Sequence, residues 1–189
     1  MTLTRDEAWQ LLCDWTPSEK LRIHARAVEL VMRDLGERLG EDVETFGNAG
    51  LLHDADYDQW PEDHPKRIVA WLNERGESSL AHAISAHFTR WGVSYDHLLD
   101  KALIASDEIT GFCMACALVR PTRTDGLEPR SVKKKLKDKA FAAGVDRHEV
   151  TEAFRMLMAA TGGTEDEHLA RIITVLHLNR GELGLTAPG

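Results

Sequence analysis

Five side chains with metal-ligating chemistry interrupt apolar helix faces in this sequence. Apolar residues at steps of three and four form a stripe of Leu21, Val28, Val31, Leu35 and Leu39, and His24 lies on it. His53 and Asp54 follow directly on the run Ala49-Gly50-Leu51-Leu52. His87 stands one turn after Ile84, and Asp107 one turn after Leu103. On a helix such positions face inward. An isolated charge in the interior costs several kcal/mol, so a buried carboxylate is paired, hydrogen-bonded or metal-bound. Each residue alone has an ordinary explanation as a hydrogen-bonded core histidine or a salt-bridged aspartate. Three histidines and two aspartates together can share the cost through one cation. Mixed imidazole and carboxylate ligands suit Mn, Fe, Co, Ni or Zn.

The elements that must position these residues all read as helices. No stretch shows sustained period-two alternation of β-branched residues. Thr16-Pro17-Ser18-Glu19 reads as a capping box with proline at the first helical position, opening a helix that runs to about Gly40. A second helix is expected from near Glu41 to His53 and Asp54. Further helices are expected over about 64–75, 78–89, 95–118, 131–143, 146–160 and 164–179, with a loop from Pro121 to Pro129. The fold class is therefore all-α. At 189 residues the chain is expected to form one domain. Its metal-site core covers about 21–123, and a C-terminal helical extension covers about 124–189.

Composition narrows the function classes. The net charge of −8 argues against nucleic-acid or membrane binding by the whole surface. No apolar run approaches the ~20 residues of a membrane span, and the N-terminus lacks a signal-peptide core, so a cytoplasmic location is expected. From Arg120 to Arg147, nine Lys/Arg stand against four Asp/Glu, a local +5. That segment either meets a small anionic substrate or is a solvated helix face. Three cysteines, Cys13, Cys113 and Cys116, do not make a disulfide framework. Cys113 and Cys116 have CxxC spacing but lack the second pair of a zinc ribbon, and they read as core packing. Asp56 and Asp58 read as a solvated acidic loop.

The order His24, then His53-Asp54, then Asp107 resembles the HD superfamily of metal-dependent phosphohydrolases. The text AGLLHDADYD looks like the family's small-residue-rich helix leading into the His-Asp pair, and SDEITGF looks like its distal motif. The resemblance covers roughly Leu21 to Arg123. The text from Arg120 to Arg147 resembles the C-terminal part of an uncharacterised group of small HD-domain hydrolases.

The resemblance implies helices that converge on metal at the core of a bundle, with the C-terminal helices packed on it. In two-metal members, two more histidines fall between the pair and the last aspartate, and His64 and His87 hold similar positions. Carried over, His24, His53 and Asp107 hold the first metal, and His64 and His87 the second. Asp54 bridges them. Two divalent ions of that kind share a hydroxide that attacks a phosphate ester. The substrate class implied is a small nucleotide-like or otherwise phosphorylated metabolite. Arg120 is the first candidate to meet its phosphate oxygens, because it follows the Asp107 helix most closely. His82 lies about 140° round the helix from His87 and reads as a supporting or packing residue. His97, His148, His168 and His177 lack motif context. A GYP signature is absent, which disfavours the cyclic-dinucleotide subgroup. Two alternatives share the same ligand types: a di-iron oxygenase of similar fold, and a non-catalytic module that binds metal or nucleotide.

Overall fold

Ten α-helices and one short 3-10 turn account for the regular structure of the described residues, and no strand occurs among them. The computed structural model describes residues 3–188. Met1, Thr2 and Gly189, part of the expected single domain, lie outside the described residues. The all-α expectation holds. No helix among the described residues is long and apolar enough to cross a membrane. The chain divides into two compact units, one ending at Ile104 and the other beginning at Ala105.

In the first unit the helices are α1 (Arg5–Trp15), α2 (Glu19–Leu39), α3 (Val43–Leu52), α4 (Lys66–Glu74), α5 (Ser78–His87) and α6 (Leu98–Ile104). The centre is α3, which touches α1, α2, α5 and α6. Every residue from Phe46 to Leu52 is buried. Such a stretch is buried around its whole girth, and its polar side chain, Asn48, donates to the Leu3 carbonyl at 3.0 Å. His53 and Asp54 therefore leave this enclosed helix at its C-terminal end.

The approach of α3 to α2 depends on Gly50. A Cβ there would stand 2.8 Å from the Val28 carbonyl oxygen and 2.9 Å from the Glu29 amide nitrogen. Both are backbone atoms, so no side chain can swing aside. Gly50→Ala is expected to cost about 1–3 kcal/mol through overpacking. A fall in Tm of several degrees measures it. The Gly50 carbonyl also receives His53 Nδ1 at 2.8 Å, so the displacement reaches the site.

On α2, Glu29 is fully buried and held by three arginines. Arg26 and Arg33 come from α2 itself and Arg5 from α1, at 2.8, 2.9 and 3.1 Å. Arg33 reaches on to Glu44 of α3 at 2.6 Å. A buried carboxylate needs this many partners to offset its lost hydration. The network ties α1, α2 and α3 together.

The expected capping box at Thr16 does not form. Ser18 is the cap residue of α2, and its side chain makes no capping hydrogen bond. Thr16 instead closes α1, and its hydroxyl donates to the Ala55 carbonyl at 3.0 Å. True capping boxes open α1, at Thr4 and Glu7, and the last helix, at Thr164 and Glu167.

The second unit holds α7 (Asp107–Leu118), α8 (Pro129–Leu136), α9 (Arg147–Thr161) and α10 (Glu165–Leu178). The single long helix expected over 95–118 is thus two helices. His168 of α10 donates to the Ala105 carbonyl, beside the break, at 3.0 Å. The helix expected over 131–143 ends early, at Leu136. Cys113 and Cys116 are buried on α7 with free thiols. Burial pushes both thiol pKa values up, that of Cys116 to about 11, so they behave as packing groups.

Candidate metal centre

Four histidines and one aspartate of the first unit come together. His24 comes from α2, and His53 from the residue that closes α3. Asp54 follows it. His64 precedes α4, and His87 ends α5. The rings stand edge to face in a chain: His24 on His53 at 5.3 Å between centroids, His53 on His87 at 5.4 Å, and His87 on His64 at 5.5 Å. Asp107 is the first residue of α7, in the second unit.

Hydrogen bonds fix how three of the rings face. His53 Nδ1 donates to the Gly50 carbonyl at 2.8 Å, and His87 Nδ1 to the Ile84 carbonyl at 2.5 Å. His64 Nδ1 donates to the Asp56 carboxylate at 2.7 Å. Carbonyl and carboxylate oxygens only accept, so the proton of each neutral ring sits on Nδ1. Each Nε2 then presents a lone pair. All three point at Asp54. Nε2 of His53 lies 3.3 Å from Oδ2, while Nε2 of His64 and of His87 lie 3.3 and 3.5 Å from Oδ1.

Lone pairs aimed at a carboxylate repel it unless positive charge stands between them. Protons on the imidazoles supply that charge, and so does a metal ion. Burial alone would push the Asp54 carboxyl up. The charge and hydrogen bond of His53, helped by His87, outweigh burial and hold it well below the usual carboxylate range. The ligand atoms of Asp54, His64 and His87 all lie within 4.8 Å of one another. Nitrogen and oxygen donors so arranged, with each distal nitrogen anchored, fit a divalent transition metal. The Asp54 side chain is 26% exposed, against 0%, 5% and 6% for His53, His64 and His87. Solvent therefore reaches the cluster at the carboxylate.

Asp56 departs from the solvated-loop reading. It is fully buried. One carboxylate oxygen holds His64, and the other accepts the amide hydrogens of Arg67 and Ile68 at 3.0 and 3.1 Å. A ligating histidine usually leans on a carboxylate, and for His64 that carboxylate is Asp56, eight residues earlier in the chain. Asp58 accepts the Ser18 amide hydrogen at 2.7 Å and so fixes the entry to α2.

Arg120 lies in the second unit, on a cavity of about 330 Å3 that Cys116, Leu127, Lys134 and Lys135 also line. Its Nε donates to the Arg123 carbonyl at 3.1 Å, and its Nη2 to the Asp125 carbonyl at 2.9 Å. Within the basic segment, Lys133 pairs with Asp166 at 2.9 Å and Lys135 with Asp138 at 3.8 Å.

The family model that matches this chain is that of the HD domain, over residues 21–119. The match covers just over half of the chain and runs across the boundary between the two units. The chain belongs to the HD domain family. Comparison with curated proteins and with solved structures gives no match.

Proposed function

We propose that the protein is a metal-dependent hydrolase of phosphate esters, acting on a small nucleotide-like or other phosphorylated metabolite. The observation that carries this is the two-sided approach to Asp54, with His53 at one carboxylate oxygen and His64 and His87 at the other. A carboxylate so placed suits a bridge between two divalent ions. His24 and His53 would hold one ion, with Asp107 the further ligand that the family's order implies, and His64 and His87 would hold the other. Such ions supply Lewis-acid charge to the phosphoryl oxygens and activate water for attack at phosphorus. The chain's own part is to hold the donors rigid. The Gly50 and Ile84 carbonyls and the Asp56 carboxylate keep the three rings in the tautomer that offers Nε2. Arg120 is the proposed donor to the substrate's phosphate oxygens, through Nη1, which takes no part in the turn's bonds just described.

The test is a panel of phosphomonoesters and phosphodiesters assayed with Mn, Fe, Co, Ni and Zn, beside metal quantification. About two metals per chain and metal-dependent phosphate release are expected. A coloured, iron-loaded protein that consumes oxygen and releases no phosphate would replace hydrolysis with oxidation.

A further inference from the structure

A second cluster of ligating side chains stands apart from the HD residues, where α5 meets the start of α6. His82 lies on α5, His97 just precedes α6, and Asp100 lies in its first turn. Their ligand atoms fall within 4.8 Å of one another. His82 Nδ1 is 3.2 Å and His97 Nδ1 3.4 Å from the same carboxylate oxygen, Asp100 Oδ2. The two rings stand edge to face, with centroids 5.1 Å apart.

Hydrogen bonding does not account for this arrangement. Asp100 Oδ2 accepts the His97 amide hydrogen at 2.8 Å, which caps the start of α6. The rest of the group is left over. Asp100 Oδ1 is buried and has no hydrogen-bond partner, and the same holds for His82 Nδ1, despite its closeness to Oδ2. The Asp100 side chain is only 1% exposed. A buried carboxylate oxygen and a buried imidazole nitrogen without partners are each costly, by an amount a shared cation would recover. The spacing suits one. Ligands on a tetrahedral zinc-type ion with bonds of about 2.0–2.1 Å stand about 3.3 Å apart.

We infer that His82, His97 and Asp100 form a separate site for a divalent ion of the zinc, cobalt or nickel class. Three protein ligands leave a fourth position for water, on the side where His97 is 70% exposed. Asp96, 3.8 Å from the far nitrogen of His82, is placed to orient that ring. The ion pins α5 to α6 and closes the segment between them, which begins directly after His87. Ion binding here therefore steadies the end of α5 that carries one residue of the HD cluster.

The test uses the full chain, stripped of metal and titrated with cobalt(II). Bound ions are counted by native mass spectrometry, and tetrahedral coordination is followed by visible absorption. His97→Ala removes an exposed side chain, so folding is preserved. It is expected to bind one cobalt fewer than the unsubstituted chain and to lose the tetrahedral absorption. His82→Gln is expected to do the same. Asp54→Ala, which disables the HD cluster, should keep that absorption. Equal stoichiometry and equal spectra for His97→Ala and the unsubstituted chain would overturn the site. The ion lost in His97→Ala is counted separately from those lost in Asp54→Ala. Failure here and failure of the hydrolase reading are thus distinguishable.

Discussion

Asp54→Ala is expected to abolish phosphate release and to strip the HD cluster of its metal. The three Nε2 atoms converge on this carboxylate. Without it, the three Nε2 atoms have no carboxylate among them to share a cation. Metal charge at a phosphoryl group is worth several kcal/mol in the transition state. At about 1.4 kcal/mol per factor of ten, the loss is roughly three orders of magnitude in kcat. Asp54→Asn is the sharper variant, because it keeps the shape and one accepting oxygen but removes the charge. It should lower metal occupancy while leaving the helical circular dichroism unchanged. Turnover within a few-fold of the unsubstituted enzyme in either variant would rule out the mechanism. The readout is metal per chain beside kcat on the best substrate of the panel.

How much of this was legible in the sequence depended on whether a residue's neighbours lay close along the chain. His53 and Asp54 could be read because the apolar or small run Ala49-Gly50-Leu51-Leu52 directly precedes them, at the end of a helix buried from Phe46 onward. His24 and His87 could be read because helical periodicity places them inward. Helix starts and stops at Gly40, Asp146 and Gly162 were visible for the same reason, since caps are local chemistry. Long-range partners stayed hidden. Thr16 has the right residues behind it for a capping box, but its hydroxyl goes to Ala55, 39 residues on. The break after Ile104 has no glycine or proline to announce it, and the His168 ring that meets the Ala105 carbonyl there comes from 63 residues away. Asp100 belongs to no motif along the chain, and only the fold brings His82 to it. Asp56 looked like one of several acids in a polar loop. Its burial follows from its two tasks, and neither leaves a mark in local spacing.

Those two tasks make Asp56 the source of the second large effect. Its Oδ2 accepts the amide hydrogens of Arg67 and Ile68, in the first turn of α4, whose cap residue, Pro65, makes no side-chain hydrogen bond to the helix. Its Oδ1 keeps the proton of His64 on Nδ1. Asp56→Ala removes both. The lost cap costs about 1 kcal/mol and the unmet buried His64 nitrogen another 1–3 kcal/mol. A clear fall in Tm is therefore expected, together with weaker metal binding. Asp56→Asn separates the tasks. Its oxygen can still cap α4, which turns its amide group toward His64. An amide N–H donates, so it demands a lone pair on Nδ1 and drives the proton to Nε2. A protonated Nε2 cannot bind metal. Asp56→Asn should then stay close to the unsubstituted Tm yet lose 10–100-fold in affinity for the ion held by His64 and His87. Activity should fall in kcat and return in part at high metal concentration. A role limited to capping α4 would leave affinity and kcat unmoved in Asp56→Asn. Metal titration of that one variant therefore decides whether Asp56 holds a helix or tunes a ligand.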